Sequence, residues 1–205
     1  MKKVLIVVDY QKDFADKNGA LSVPFGYSIS ENIQKLIDNN RYDEIIYTFD
    51  THEKIEYENS IEKTEFGFPI HCEYKTKGWE LFNIKPKSNI EFNNFLNNST
   101  SPFEMISFEN ETFFTKNVFN IWDGNNKYTQ WFEDKFNKEE TIIEVVGLAY
   151  EFCVFMNVNG MLDRGYKVNI LEDCIKSITY NGEVESRTKM ISNGVVIINE
   201  GVESD

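Results

Sequence analysis

Both histidines of this 205-residue chain, His52 and His71, fall in one loop-like stretch, "TFDTHEKIEYENSIEKTEFGFPIHC" (48–72). Asp50 precedes His52 by two positions, so on extended backbone the two side chains face the same way. One carboxylate and two imidazoles make a donor set for a divalent cation that keeps positions open for water or substrate. Zinc is the first candidate, with manganese or iron as the others. Glu62 or Glu65 is available as a further ligand. Cys72 ranks below them, because neighbours on extended chain point to opposite faces and His71 already takes one.

A second set of residues suits acyl transfer. Cys153, in "GLAYEFCVF" (147–155), follows an apolar run ending at Leu148 and stands at the start of a helical pattern. A helix N-terminus offers unpaired N–H groups and the positive end of the dipole, which favour thiolate and can serve as an oxyanion hole. A free cysteine is also commonly a small buried hydrophobe, and Cys174 is given no role. A nucleophile needs a base. Asp9 directly follows the run Val4–Val8; alone it would read as a turn or cap residue. Lys116, in "FFTKN", ends another short apolar run. If the three converge, Asp9 accepts the thiol proton, Lys116 keeps Asp9 ionised and oriented, and Cys153 attacks.

The elements that must bring these residues together are short apolar runs separated by helical stretches. Val4–Val8, Glu44–Phe49, Thr141–Leu148, Lys167–Leu171 and Val195–Ile198 predict strands, with Phe113–Thr115 as a weaker sixth. Val4–Val8 shows no in–out alternation, which suits a strand covered on both faces of a parallel sheet. Ser28–Asn40, Tyr128–Phe136, Phe152–Arg164 and Glu183–Ser192 predict helices. The order predicts a doubly wound α/β fold with a mostly parallel, six-stranded sheet and helices on both faces, as a single domain over 1–205. In such a sheet ligands bind outside the carboxyl ends of the strands, where Asp9, Asp50 and Cys153 fall. Residues 51–80 read as a polar, aromatic loop, and 83–111 as an asparagine-rich, poorly periodic insert. Loops of that length are usually functional or disordered.

A net charge of −13 argues against nucleic-acid or anionic-membrane surfaces, which need clustered Lys and Arg. The start "MKKVLIVVDYQKDF" has too short an apolar run for a signal peptide, and Asp9 ends it without a small-residue cleavage site. No stretch approaches membrane-spanning length. Three cysteines are too few and too odd for a disulfide framework, which points to a reducing cytoplasm.

With these residues assembled, the chain resembles the isochorismatase-like cysteine hydrolases, and within them the nicotinamidases. The matching stretches are "VLIVVDYQKDF", "TFDTH…FPIHC", "FTKNVF" and "VVGLAYEFCVFMNV", in the family's order over residues 3–158. The resemblance implies a catalytic triad of Asp9, Lys116 and Cys153, and a cis peptide at Leu148–Ala149. It also implies an oxyanion hole from the N–H groups of Ala149 and Cys153, and metal ligands Asp50, His52 and His71 that hold the pyridine nitrogen. Phe14 and Phe68 match positions that sandwich the ring, with Leu148 and Ala149 beside them. The implied reaction is nicotinamide to nicotinate and ammonia through a thioester, with a small-molecule amide as partner and a homo-oligomer as the family habit. Cys153 argues against true isochorismatase, a vinyl-ether hydrolase that lacks this nucleophile. Tyr150 and Glu151 replace the family's usual Thr and Asp, "HEKIEYENS" replaces its His-Pro segment, and "HCEYKTKGWE" lacks a usual glycine. The alternatives these departures leave are another small amide or carbamoyl substrate, or a non-catalytic metal- or ligand-binding protein on the same fold.

Overall fold

The structure, a computed structural model, describes residues 1–199. Its strands are β1 (Lys2–Val8), β2 (Glu44–Asp50), β3 (Met105–Phe108), β4 (Glu111–Lys116), β5 (Thr141–Leu148), β6 (Lys167–Lys176) and β7 (Val196–Ile198). They form one sheet in the order β3-β4-β2-β1-β5-β6-β7. Every pair is parallel except β3–β4. The helices are α1 (Lys12–Ala15), α2 (Ser30–Asp38), α3 (Lys54–Tyr57), α4 (Ile61–Thr64), α5 (Asn89–Asn98), α6 (Ile121–Gly124), α7 (Tyr128–Lys135), α8 (Phe155–Asp163) and α9 (Tyr180–Ser192).

Two apolar layers cover the sheet, and β1 shows why its sequence does not alternate. Leu5 and Val7 pack on one face with Ile33 and Ile37 of α2. Val4, Ile6 and Val8 pack on the other with Phe132 of α7 and Val158 and Met161 of α8. A strand buried on both faces needs an apolar residue at every position. From β1 the chain builds outward to β2 on one side, and β5 later adds on the other. The crevice beyond their carboxyl ends is thus the switch point where such sheets bind ligands.

The sheet has seven strands where the sequence predicted six. The extra strand, β3, lies in the 83–111 segment, which folds as helix α5 followed by a hairpin into β4. Asn110 takes a left-handed φ of 58° in the hairpin turn, a conformation asparagine tolerates better than most residues. Four partly exposed residues at a sheet edge carry little apolar signal. Phe92 of α5 stacks on Phe113 of β4 with ring centroids 4.2 Å apart, which ties the segment to the sheet. No helix among the described residues is long and apolar enough to cross a membrane.

Candidate active site

Asp9 is the first residue beyond β1 and is held with a positive φ of 44°. Thr48, on the neighbouring strand, donates its hydroxyl to Asp9 Oδ1 at 2.6 Å and accepts from the Asp9 N–H at 3.2 Å. Lys116 ends β4 in register with Asp50, the last residue of β2. Its Nζ lies 2.7 Å from Asp9 Oδ2, 3.3 Å from Asp50 Oδ1 and 3.6 Å from Cys153 Sγ. The three residues proposed as a triad therefore converge on one ammonium group, with Asp50 joining them.

Cys153 sits in a π-helical turn, Tyr150–Val154, that runs into α8. The helix thus starts two residues earlier than the sequence predicted. The Leu148–Ala149 peptide is cis. The Cys153 thiol is not favoured as thiolate, contrary to the expectation from a helix N-terminus. Complete burial pushes it well above its ordinary value, and the opposing charge of Lys116 does not compensate. Burial also raises the Asp9 carboxyl despite Lys116. Burial works against the Lys116 charge, but Asp50 and Asp9 outweigh it and hold the ammonium well above the usual lysine value. The resting proton thus belongs on sulfur, beside a carboxylate of raised basicity.

Asp50 also belongs to a second cluster. Among the described residues, ligand atoms of Asp50, His52, Glu62 and His71 lie within 4.8 Å of one another, all four residues buried. Asp50 Oδ2 is 3.1 Å from Nε2 of both histidines, and Glu62 Oε2 is 3.5 Å from His52 Nε2 and 3.0 Å from His71 Nε2. Among the described residues the two imidazoles are the only polar groups placed against Glu62 Oε2, and Oε1 has no hydrogen-bond partner. His71 Nδ1 lies 2.8 Å from the Pro69 carbonyl, so Nδ1 carries a proton there and Nε2 can present a lone pair inward. Burial lowers both imidazoles, yet Asp50 and Glu62 outweigh it and push His52 up to about 10 and His71 to about 9. The cluster demands positive charge, and a divalent cation fits that demand with two carboxylates and two imidazoles. The fourth member is Glu62; Glu65, the alternative, is exposed. Cys72 stands outside the cluster with a φ of 46°, its N–H donating to Asp13 Oδ2 at 2.7 Å.

Several supporting residues escaped the sequence reading. Gln11, fully buried, accepts from the Asp50 N–H and donates to the Asp50 and Trp79 carbonyls at 2.8, 2.8 and 3.0 Å. It locks the end of β2 that carries Asp50. Asp13 pins the turn after His71, and glycine at 78 leaves its carboxylate room, since a Cβ there would lie 2.1 Å from Asp13 Oδ2. The "DYQKDF" stretch contains both residues, Gln11 and Asp13, yet the sequence alone gives roles there only to Asp9 and Phe14. Tyr57 directs its hydroxyl to the Phe68 and Pro69 carbonyls at 3.0 and 2.9 Å, which fixes the chain entering His71.

A cavity of about 20 Å³ joins the two clusters, lined by Phe14, Phe68, Ala149, Phe152, Cys153 and Ile178 with Asp50, Glu62 and His71 at one end. That is about the room one water needs. Of the four residues proposed to hold substrate, Phe14, Phe68 and Ala149 line this cavity. Leu148 does not: it is fully buried in the core, with its side chain toward Gly26. Strand alternation turns it away from its neighbour Ala149. Phe66, Phe68, Phe119 and Phe152 close the outer side, with ring centroids 5.2 to 5.8 Å apart.

The family model described as the isochorismatase domain matches residues 3–200. The chain belongs to the isochorismatase domain family. Among curated relatives, the nicotinamidase of Saccharomyces cerevisiae is 24% identical over 91% of this chain and 94% of its own. The nicotinamidase of Escherichia coli is 27% identical over 86% and 84%. Among solved structures, the pyrazinamidase of Pyrococcus horikoshii in complex with zinc superposes with a TM-score of 0.72 at 24% identity, covering 97% of this chain and 99% of that one. The fold matches that of nicotinamidase-like members, with the seven-stranded sheet described above.

Proposed function

We propose that this chain is a metal-dependent cysteine amidohydrolase converting nicotinamide to nicotinate and ammonia. Its class, a hydrolase of carbon–nitrogen amide bonds, follows from family membership together with the two nicotinamidase relatives. The observation that carries the finer reading is the meeting of Asp9, Lys116 and Cys153 beside a four-residue cation site in one cavity.

In the proposed reaction Asp9 takes the Cys153 proton as sulfur attacks the carboxamide carbon. The N–H groups of Ala149 and Cys153 receive the developing oxyanion. Lys116 stays protonated and keeps both anionic forms of the pair in place. Asp9 returns its proton to the amide nitrogen, the carbon–nitrogen bond breaks and ammonia leaves a nicotinoyl thioester. Asp9 then accepts a proton from water, which attacks the thioester; nicotinate departs and sulfur regains its proton. A divalent ion held by Asp50, His52, Glu62 and His71 would supply a coordination site for the ring nitrogen, zinc being first and manganese or iron the alternatives. Phe14 and Phe68 flank the ring. A ring does not fit about 20 Å³, so entry calls for rotation of the wall side chains such as Phe68, whose backbone stays held by the Tyr57 hydroxyl and the Glu62 carbonyl.

The same tightness supports a second reading, a smaller amide or carbamoyl substrate on the same residues. A panel of amides, tested with metal-stripped and metal-restored protein, separates the two. Nicotinamide turnover that chelation abolishes and metal restores supports the first; turnover of only non-aromatic amides supports the second.

A further inference from the structure

We propose that Glu151 is a positioning residue that holds one wall of the substrate cavity against the nucleophile turn. It stands two residues before Cys153, where the family's usual residue is the shorter Asp. Its carboxylate accepts the Ile178 N–H with both oxygens at 3.1 Å, the Thr179 N–H at 2.8 Å and the Thr179 hydroxyl at 3.3 Å. Ile178 is a cavity wall residue, placed with Cys153, Ala149 and Phe14. Thr179 is in turn the N-cap of α9, accepting the Gly182 N–H at 3.0 Å. The fit is close on the far side too: a Cβ on Gly182 would lie 2.7 Å from Glu151 Oε1. One carboxylate thereby joins the segment that carries the nucleophile to the β6–α9 connection that carries the wall. Hydrogen bonds to an ionised acceptor are about twice as strong as neutral ones, so the joint is firm.

The wall fixes where a ring can rest relative to sulfur. If the joint is lost, Ile178 retreats, the cavity widens and substrate is held less closely, while Asp9, Lys116 and Cys153 keep their own contacts. This consequence for turnover rests on the nicotinamidase reading above; the joint itself does not.

The test compares wild type with Glu151→Ala, Glu151→Gln, Ile178→Ala and the Glu151→Ala/Ile178→Ala double variant. Amide hydrogen exchange at 176–182 is expected to quicken by roughly tenfold or more in Glu151→Ala and by less in Glu151→Gln, which keeps one carbonyl acceptor. Alkylation of Cys153 by iodoacetamide is expected to quicken in Glu151→Ala and Ile178→Ala alike. KM for nicotinamide is expected to rise roughly tenfold in both, with kcat changing less and the double variant no worse than either. Faster exchange with unchanged alkylation and KM would reduce Glu151 to a helix cap and overturn the proposal, as would unchanged exchange. If wild type does not hydrolyse nicotinamide, the function proposed above fails, while exchange and alkylation still decide the joint. If Glu151→Ala does not fold, Glu151→Gln and Ile178→Ala carry the same comparison.

Discussion

Lys116 places its ammonium nitrogen 2.7 Å from Asp9 Oδ2, and neither side chain is exposed to solvent. Breaking a buried pair by removing one partner strands the other charge, at a cost of about 3–5 kcal/mol. Lys116→Met strands Asp9 and takes one of three cationic partners from Asp50, which keeps His52 and His71 at 3.1 Å. The variant is expected to lose at least that much stability in urea unfolding at neutral pH, and to lose ammonia release with it. Adding Asp9→Asn should recover part of the stability and none of the activity.

Thr48 supplies a prediction in pH. Its hydroxyl stabilises the ionised form of Asp9, so it lowers a carboxyl that burial raises. Thr48→Val keeps the shape and removes the donor. The Asp9 value then rises further, and the acid limb of kcat/KM, which reports the free enzyme's essential base, moves to higher pH. A profile of kcat/KM against pH for the two proteins checks this. A limb that stays in place would mean that another group is the base.

Much of this arrangement was legible in the sequence, for a physical reason. A strand buried on both faces must be apolar throughout, so a polar residue at its end stands out. Asp9, Asp50, Lys116 and the turn before Cys153 were found that way. Thr48 was invisible, because a threonine within a strand reads as an ordinary β-former. Glu62 and Glu65 could not be separated: they lie three residues apart around a one-turn helix, and only packing decides which is buried. Strand β3 was missed because an edge of four half-exposed residues has little apolar signal. Glu151 was visible only as a departure from a motif, since its partners lie 27 and 28 positions away in the chain.

The cation cluster makes a separate prediction. Glu62→Gln keeps the volume but removes one of the two fully buried carboxylate charges that face both imidazoles, Asp50 being the other; the more exposed Glu56 touches only His52. It is expected to weaken zinc binding by roughly 10–100-fold, read by equilibrium titration of metal-stripped protein. Chelation of the wild type should lower its unfolding temperature, and zinc should restore it, because a ligand bound only by the folded state stabilises that state. Protein that takes up no divalent metal, with an unfolding temperature indifferent to chelator, would remove the metal from the account.

The central claim is that Cys153 carries the acyl group, and ammonia release from nicotinamide by Cys153→Ala tests it most directly. Its rate is expected to fall on the order of 10⁴-fold or more. Acid-quenched wild type is expected to carry one nicotinoyl group on Cys153 by mass spectrometry. Ammonia release undiminished in Cys153→Ala would contradict the claim.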